Sequence, residues 1–248
     1  MITRSRLKEL TAYRLQKRCD EQAVFVAEGP KLAAEALASG FTIHTVCATE
    51  PWLRSFGTFL PATEVYEVGS ADLARLSSLK SPNQVWMLLG RPTPGSPAAA
   101  PAASPLILAL DRLQDPGNLG TIMRTADWYG LRRIVCSRDT VGCYTPKVVQ
   151  ASMGAIFRTS VEYVDLPRWL AACGMPVYGA SLHGQPADAV PVPCGAAVLL
   201  VGNESRGISP EVMASVTIPV LIPNRGLTAE SLNASVAAAI LIDRLWNN

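Results

Sequence analysis

The sequence predicts an α/β protein in two pieces joined by a linker, the second piece built on a parallel sheet with helices on both faces. Three observations predict it. The segment Arg91-Pro-Thr-Pro-Gly-Ser-Pro-Ala-Ala-Ala-Pro-Ala-Ala-Ser-Pro105 holds five prolines and almost no bulky apolar side chain, so it buries no face and reads as a semi-extended spacer. After it, short continuous apolar runs alternate with helical stretches, the pattern of strands covered on both sides. The 248 residues are 49% hydrophobic and 17% charged, enough apolar mass for a large core and too little charge for wholesale disorder.

Taken in order, the first piece, residues 1–91, begins with a basic stretch from Arg4 to Lys17 that reads as a helix. Ala23 to Ala27 is a short strand. Gly29-Pro30 then opens a helix through Leu37, proline being suited to a first helical position. Ile43 to Ala48 and Val85 to Leu89 are apolar runs of strand length. That alternation makes a small α/β domain. The spacer covers residues 92–104.

The second piece, residues 105–248, has strand-like runs at Leu106–Leu110, Arg133–Cys136, Val177–Ala180, Ala196–Val201 and Val216–Ile222. Asp115-Pro-Gly-Asn118 is an N-cap candidate for a helix that Gly130 stops, glycine tolerating the left-handed turn that ends a helix. Thr145-Pro146 is a second start signal, followed at helical spacing by Gln150, Met153 and Phe157. The last helix spans about Ser231 to Trp246, and its Ala234, Ala237, Ala238 and Ala239 suit close packing against another helix or a subunit.

Composition excludes several classes of function. No apolar run approaches the roughly 18 to 20 residues that cross a bilayer. Met1–Leu10 is followed by polar Thr11–Glu21 rather than an apolar core, so no secretory signal is read and the expected location is cytoplasmic. The six cysteines are scattered without a Cys-x-x-Cys pair, and His44 and His183 stand alone. Reduced thiols and no metal site follow. No Gly-x-Gly-x-x-Gly follows a strand and no phosphate-binding Gly-x-x-x-x-Gly-Lys is present, which excludes the usual dinucleotide and nucleotide-triphosphate cradles. A net charge of +2 does not by itself indicate a nucleic-acid partner. Residues 1–18, however, place Arg4, Arg6, Lys8, Arg14, Lys17 and Arg18 against Glu9, which is either a solvated face or an RNA contact.

A doubly wound sheet binds ligands beyond the carboxyl ends of its strands. Those loops are Asp111–Asn118, Ser181–Gly184, Gly202–Gly207 and Pro223–Glu230, rich in Gly, Asn, Ser and Arg. Loops of this composition can hold a nucleoside by backbone groups. Three of them, with their flanks, resemble something specific. Asp111-Arg-Leu-Gln-Asp-Pro-Gly-Asn-Leu-Gly-Thr-Ile-Met-Arg-Thr-Ala126, Leu199-Leu-Val-Gly-Asn-Glu-Ser-Arg-Gly-Ile208 and Ile222-Pro-Asn-Arg-Gly-Leu-Thr-Ala-Glu-Ser-Leu-Asn-Ala-Ser-Val-Ala237 resemble, in order and spacing, the three motifs of the SpoU (TrmH-like) RNA 2'-O-ribose methyltransferases. Phe25-Val-Ala-Glu-Gly-Pro-Lys31 is similar to the start of the smaller α/β, L30e-like substrate-binding domain of the branch directed at ribosomal RNA.

The resemblance implies a trefoil-knotted SPOUT methyltransferase domain that works as a homodimer with S-adenosylmethionine. It places the motif residues on Asn118, Arg124, Gly202, Glu204, Ser231, Leu232 and Asn233. Cofactor contacts fall on Gly202, Ile222 and Leu232, with Ala180, Ser181 and Gly226 in the adjoining loops. Two departures stand out: Asn224 occupies a position where the family has Met, and the stretch Leu227–Glu230 is one residue longer than usual.

Methyl transfer to a ribose hydroxyl needs in-line positioning of the two partners and control of a hydroxyl that hardly ionises at neutral pH. Arg124 lies off the helix face carrying Leu119, Ile122, Met123 and Ala126, so it can project toward a ligand. A guanidinium does not give up its proton in proteins, so Arg124 reads as a phosphate clamp and alkoxide stabiliser, with an ordinary solvated helix arginine as its second reading and the proton acceptor unassigned. Glu204 can pair with Arg124 or Asn118, or cap the next helix. Asn118 and Ser231 each have a second reading as plain N-caps, and Ser231 with Asn233 opens the last helix. Arg206 and Arg225 sit in the same loops, facing RNA phosphates or solvent. Ribosomal RNA is the leading substrate and transfer RNA the alternative. A non-catalytic RNA-binding protein and a base methyltransferase are the competing classes; the presence of Arg124 and Glu204 argues against the first, and the Asn118/Arg124 pair with Ser-Leu-Asn against the second.

Overall fold

A computed structural model describes residues 2–56, 62–92, 105–226 and 230–246. The chain forms two compact units, Met1–Ala100 with Tyr144–Arg158, and Pro101–Cys143 with Thr159–Asn248. Most of the proline-rich spacer and residues 227–229 of the lengthened loop lie outside the described residues.

In the first unit, α1 (Arg4–Thr11), α2 (Gln16–Glu21), β1 (Val24–Glu28), α3 (Pro30–Ala38), β2 (Ile43–Ala48), α4 (Glu50–Phe56), β3 (Ala62–Glu67), α5 (Ser70–Leu76) and β4 (Val85–Gly90) follow in order. The strands make a sheet in the order β1-β4-β2-β3. Only β2 and β3 run parallel. The basic stretch expected as one helix is broken: after α1 comes a 3-10 turn at Ala12–Arg14, and Leu15 is extended. The break lets Leu7, Leu10, Tyr13 and Cys19 all reach one face of the sheet, where they join Val24, Val26, Trp86 and Leu88. A single straight helix cannot point all four inward. The opposite face carries Phe25, whose ring lies 4.9 Å from that of Tyr144 and 6.1 Å from that of Phe157. Arg158 also pairs with Glu35 of α3. Residues 144–158 are therefore part of this unit's core although they fall in the middle of the C-terminal sequence.

The second unit contains β5 (Leu106–Leu110), α6 (Pro116–Trp128), β6 (Arg133–Ser137), β7 (Ser160–Val164), α8 (Leu166–Ala172), β8 (Val177–Pro186), β9 (Ala197–Val201), α9 (Pro210–Met213), β10 (Ile218–Leu221) and α10 (Ala234–Trp246). Its six strands stand in the order β10-β8-β9-β5-β6-β7, and every pairing is parallel. Central β5 and β9 are buried throughout, which accounts for their unbroken apolar sequence. Ile107, Ala109, Val198 and Leu200 meet α8 and α9 on one face. The alternate residues face α6 and α10, whose Leu119, Ile122, Met123, Ala238, Leu241 and Ile242 are fully buried. Each such leucine or isoleucine contributes about 1.5–3 kcal/mol of apolar burial.

Two strands had no clear sequence signal, β3 and β7. Both lie at sheet edges. Edge strands alternate polar and apolar residues and carry charges, here Glu64 and Glu162, so they lack the continuous apolar run of a central strand.

Candidate functional site

Four loops gather at the carboxyl ends of the strands of the second unit. The first leads from β5 into α6. Asp115 caps that helix, its carboxylate accepting the backbone N–H of Asn118 at 2.8 Å, and Pro116 takes the first helical position. Gly130, at φ +71°, ends it as expected. The cap is therefore Asp115, and the Asn118 side chain is released for another partner.

That partner is Glu204. Asn118 Nδ2 donates to Glu204 Oε1 at 2.8 Å, and Asn118 Oδ1 accepts from Asn233 Nδ2 at 2.9 Å. The order is dictated by chemistry: a carboxylate only accepts, so the amide nitrogen of Asn118 must face Glu204 and its oxygen is left for Asn233. Asn233 Oδ1 in turn accepts from the backbone N–H of Ser235 at 2.9 Å and from its hydroxyl at 2.7 Å. Asn233 thus serves as the cap of α10 as well as a link in the chain. Asn118 is 8% exposed, and a bond from a buried amide to a carboxylate stabilises by about 1.5–3 kcal/mol.

The last helix starts at Ala234 rather than Ser231. With the cap at Asn233, the preceding Ser231 and Leu232 stay non-helical and turn toward a cavity. This cavity, of about 740 Å3, is lined by Ala180, Ser181 and Leu182 of β8, residues 202–207, Ile222–Arg225, Glu230–Leu232, and Ala234, Ala237 and Leu241 of α10. Within it lie Ala180, Ser181, Gly202, Ile222 and Leu232, all expected at a cofactor, together with Glu204 and Ser231. Gly226 is not among the lining residues; its N–H donates to Asn224 Oδ1 at 2.8 Å.

Residues 105–243 match the model of the SpoU rRNA Methylase family. The chain belongs to the SpoU rRNA methylase family. Residues 4–86 match the MRM3-like substrate binding domain. The chain is 29% identical over 244 residues to the 23S rRNA (guanosine(2553)-2'-O)-methyltransferase RlmP of Bacillus subtilis, covering 97% of this chain and 95% of that one. Among solved structures it is similar to an RNA methyltransferase assigned to the TrmH family from Porphyromonas gingivalis, at 38% identity and a TM-score of 0.87 over 99% of this chain and 98% of that one. The AdoMet-bound rRNA methyltransferase of Sinorhizobium meliloti gives 29% identity and a TM-score of 0.83 over 100% and 96%. The expected fold follows: a SPOUT methyltransferase domain with a parallel sheet and an N-terminal substrate-binding domain.

Against the SpoU motifs, the structure brings some residues together and leaves one apart. Asn118, Glu204 and Asn233, from three motifs, form one hydrogen-bonded chain. Arg124 does not join it. Six residues on from Asn118, it is turned about 240° around the helix and is about 9 Å further along it. It is exposed, and among the described residues its side chain makes no hydrogen bond or ion pair. The opposite, buried face of the same helix carries Leu119, Ile122, Met123 and Ala126, as the spacing predicts.

The glycine at position 202, expected from the motif resemblance, meets a steric demand. A Cβ there would stand 2.3 Å from the carbonyl carbon of Gly207 and from the nitrogen of Ile208, because the loop folds back on itself. Asn203 and Gly207 exchange backbone bonds of 3.0 and 2.9 Å. Sequence reasoning missed Asn203 and Asp111, which hold this loop, and Leu182, Ala237 and Leu241 in the cavity wall. Ala237 was legible as a small residue in a helix, but small residues signal close packing and cavity lining alike.

The thiols take no part in this site. Burial pushes the Cys136 thiol well above its ordinary value and that of Cys47 up to about 12, which keeps both neutral. Among the described residues no cluster of His, Cys, Asp and Glu could hold a metal ion. No helix among them is long and apolar enough to cross a membrane.

Proposed function

We propose that this chain transfers a methyl group from S-adenosylmethionine to the 2'-hydroxyl of a ribose in ribosomal RNA. The observation that carries the reading is the Asn233–Asn118–Glu204 chain ending at the wall of a cavity of about 740 Å3. That volume suits a cofactor of nucleoside size, for which pockets run at roughly 300–1,000 Å3. The donor set fits too. At Gly202 the wall is bare backbone, Ala180, Ile222 and Leu232 offer apolar surface, and Ser181 and Glu230 offer polar groups. Gly226, outside the wall, acts by shaping the loop with Asn224.

When bound, S-adenosylmethionine supplies a methyl group activated by its sulfonium charge. The residues of the chain do the remaining work. Glu204, held by Asn118, presents a fixed carboxylate at the cavity wall, and Asn233 ties this carboxylate to the start of α10. Positioning of this kind supplies much of the rate of a displacement between two bound partners. Arg124, with its donors unspent, clamps an RNA phosphate and stabilises charge developing on the ribose oxygen. The MRM3-like match over residues 4–86 supports residues 1–91 as the RNA-recognition domain, and the SpoU match over 105–243 supports 105–248 as the catalytic domain, with 92–104 as a spacer between them; residues 144–158 pack with the first unit. The relatives that act on ribosomal RNA, RlmP among them, favour that substrate over transfer RNA.

The working form is a homodimer in the cytoplasm. Trp128 at the end of α6 is 85% exposed, and Val236 of α10 is 46% exposed. Large apolar side chains of this kind, on two helices that pack together, suit a partner's surface. The test of the activity is to incubate the protein with methyl-labelled S-adenosylmethionine and ribosomal RNA, digest the product and identify the labelled nucleoside. A 2'-O-methyl nucleoside supports the reading. A methylated base, or no transfer to any ribosomal or transfer RNA despite cofactor binding in a calorimetric titration, overturns it.

A further inference from the structure

The loop that carries Glu204 is anchored at both of its ends to the loop that leads to Asn118. At one end, Asn203 Nδ2 donates to the carbonyl of Arg112 at 2.8 Å. At the other, the backbone N–H of Ser209 donates to Asp111 Oδ2 at 2.6 Å, and Asp111 is only 1% exposed. Arg112 is itself held in an unusual conformation. Its φ is +55°, a region that side chains other than glycine rarely adopt, and its N–H is taken by Ser137 Oγ at 2.8 Å. The left-handed turn is compatible with a carbonyl aimed at Asn203, and a strained residue at such a place is a sign of function.

Asn203 does two separable things. Its oxygen accepts the backbone N–H groups of Ser205 and Arg206, at 3.0 and 3.1 Å, and the Ser205 hydroxyl at 3.0 Å. Those bonds shape the turn. Its nitrogen makes one bond, to the Arg112 carbonyl, across the two loops. We propose that Asn203 is a positioning residue for methyl transfer: its amide nitrogen, bonded to the Arg112 carbonyl, holds Glu204 in register with Asn118. Asn203 belongs to the stretch that lines the cavity, but in this role its amide group is spent on the turn and on Arg112, and it acts through Glu204. The inference rests on the reading of Glu204 given above.

The variant that separates the two duties is Asn203→Asp. An aspartate keeps the oxygen that shapes the turn. It replaces the donor with an acceptor that faces the Arg112 carbonyl, so the bond between the loops becomes a repulsion. Displacement of a catalytic group by about 1 Å costs on the order of 100-fold in rate. The expected result is a fall in kcat of that order with the KM for RNA unchanged and the melting temperature near that of the parent. Asn203→Ser, which can still shape the turn through its hydroxyl but is too short to span the loops, is expected to behave alike and serves if the aspartate variant does not fold. Each is then combined with Glu204→Ala. If Asn203 acts only through Glu204, the double variants turn over no more slowly than Glu204→Ala alone. Parental kcat in Asn203→Asp or Asn203→Ser, or losses that multiply in the double variants, overturns the positioning role while leaving the reading of Glu204 intact. Parental turnover in Glu204→Ala overturns that reading and the positioning role with it.

Discussion

Gly202→Ala is the sharpest small perturbation the site offers. An added Cβ meets the carbonyl carbon of Gly207 and the nitrogen of Ile208 at 2.3 Å, and the Gly207 oxygen at 2.5 Å. These are backbone atoms with no rotamer to yield. Ordinary contact begins near 3.4 Å, so the loop must retreat by about 1.1 Å, the difference between the two distances. A shift of that size opens the 3.0 and 2.9 Å bonds between Asn203 and Gly207. It also carries Glu204 from 2.8 Å to beyond hydrogen-bonding reach of Asn118. Overpacking of this kind costs about 1–3 kcal/mol, a fall of roughly 2–12 °C in melting temperature for a chain of this size. Turnover falls by on the order of 100-fold. Labelled methyl transfer to ribosomal RNA and a thermal melt measure the two effects side by side. A Gly202→Ala protein with parental turnover and cofactor affinity would show that the fold-back of this loop does not govern the site, and the steric argument would fail.

Three further outcomes follow from other parts of the structure. Phe157→Ala removes a ring packed against Phe25 and Phe41, the latter at 5.2 Å, and is expected to destabilise the N-terminal unit by about 3 kcal/mol; a melt unchanged within a degree would remove residues 144–158 from that core. The hydrogen bond from Arg6 holds the Glu64 carboxyl below its ordinary value. Because the folded value is the lower one, the pair stabilises the fold at pH above about 4 and its contribution disappears as pH falls through the folded value. Arg6→Met is expected to raise the Glu64 titration midpoint, read by NMR, and a midpoint that stays put would locate the cause elsewhere. Trp128→Glu places a charge on an 85% exposed aromatic; if that surface is the dimer interface, light scattering after size exclusion finds a monomer, and an unchanged dimer moves the interface off Trp128.

How much of this was legible in the sequence depends on what each residue has to satisfy. The central strands were readable because burial on both faces demands continuous apolar runs, as at Leu106–Leu110. The edge strands β3 and β7 were not, because Glu64 and Glu162 answer to partners in other segments, Arg6 and Arg133, that no local pattern reveals. The same divide runs through the site. Asn118 and Asn233 could be named from their motifs, but that Asp115 rather than Asn118 caps α6 depends on which side chain finds Glu204, 86 residues away. Residues 144–158 carry a local helix signal at Thr145-Pro146, and α7 (Pro146–Ser152) does form there. The membership of residues 144–158 in the first unit follows from contacts distant in sequence, the aromatic cluster on Phe25 and the Arg158–Glu35 pair.

The position of Arg124 separates two duties that were assigned to it together. Asn118, Glu204 and Asn233 satisfy one another, so the chain itself orients that part of the site. Arg124, exposed and unpaired among the described residues, keeps its full charge and donors for something the chain does not provide. A phosphate contact and a stabilising contact to the ribose oxygen make different demands on experiment. Loss of a phosphate contact weakens RNA binding alike across sequences and lowers the slope of log affinity against log salt concentration by about 1. Loss of a contact made only as charge develops leaves that slope alone and lowers kcat and kcat/KM equally. Arg124→Ala is expected to do both, with little change in melting temperature because the side chain is exposed. A kcat loss with the salt slope intact would strip Arg124 of the clamp and leave it the oxygen; a changed slope at parental kcat would do the reverse. Parental values of both would remove Arg124 from the site, and the neutralisation of the reacting oxygen would then have to come from Arg206 or Arg225, which, unlike Arg124, line the cavity.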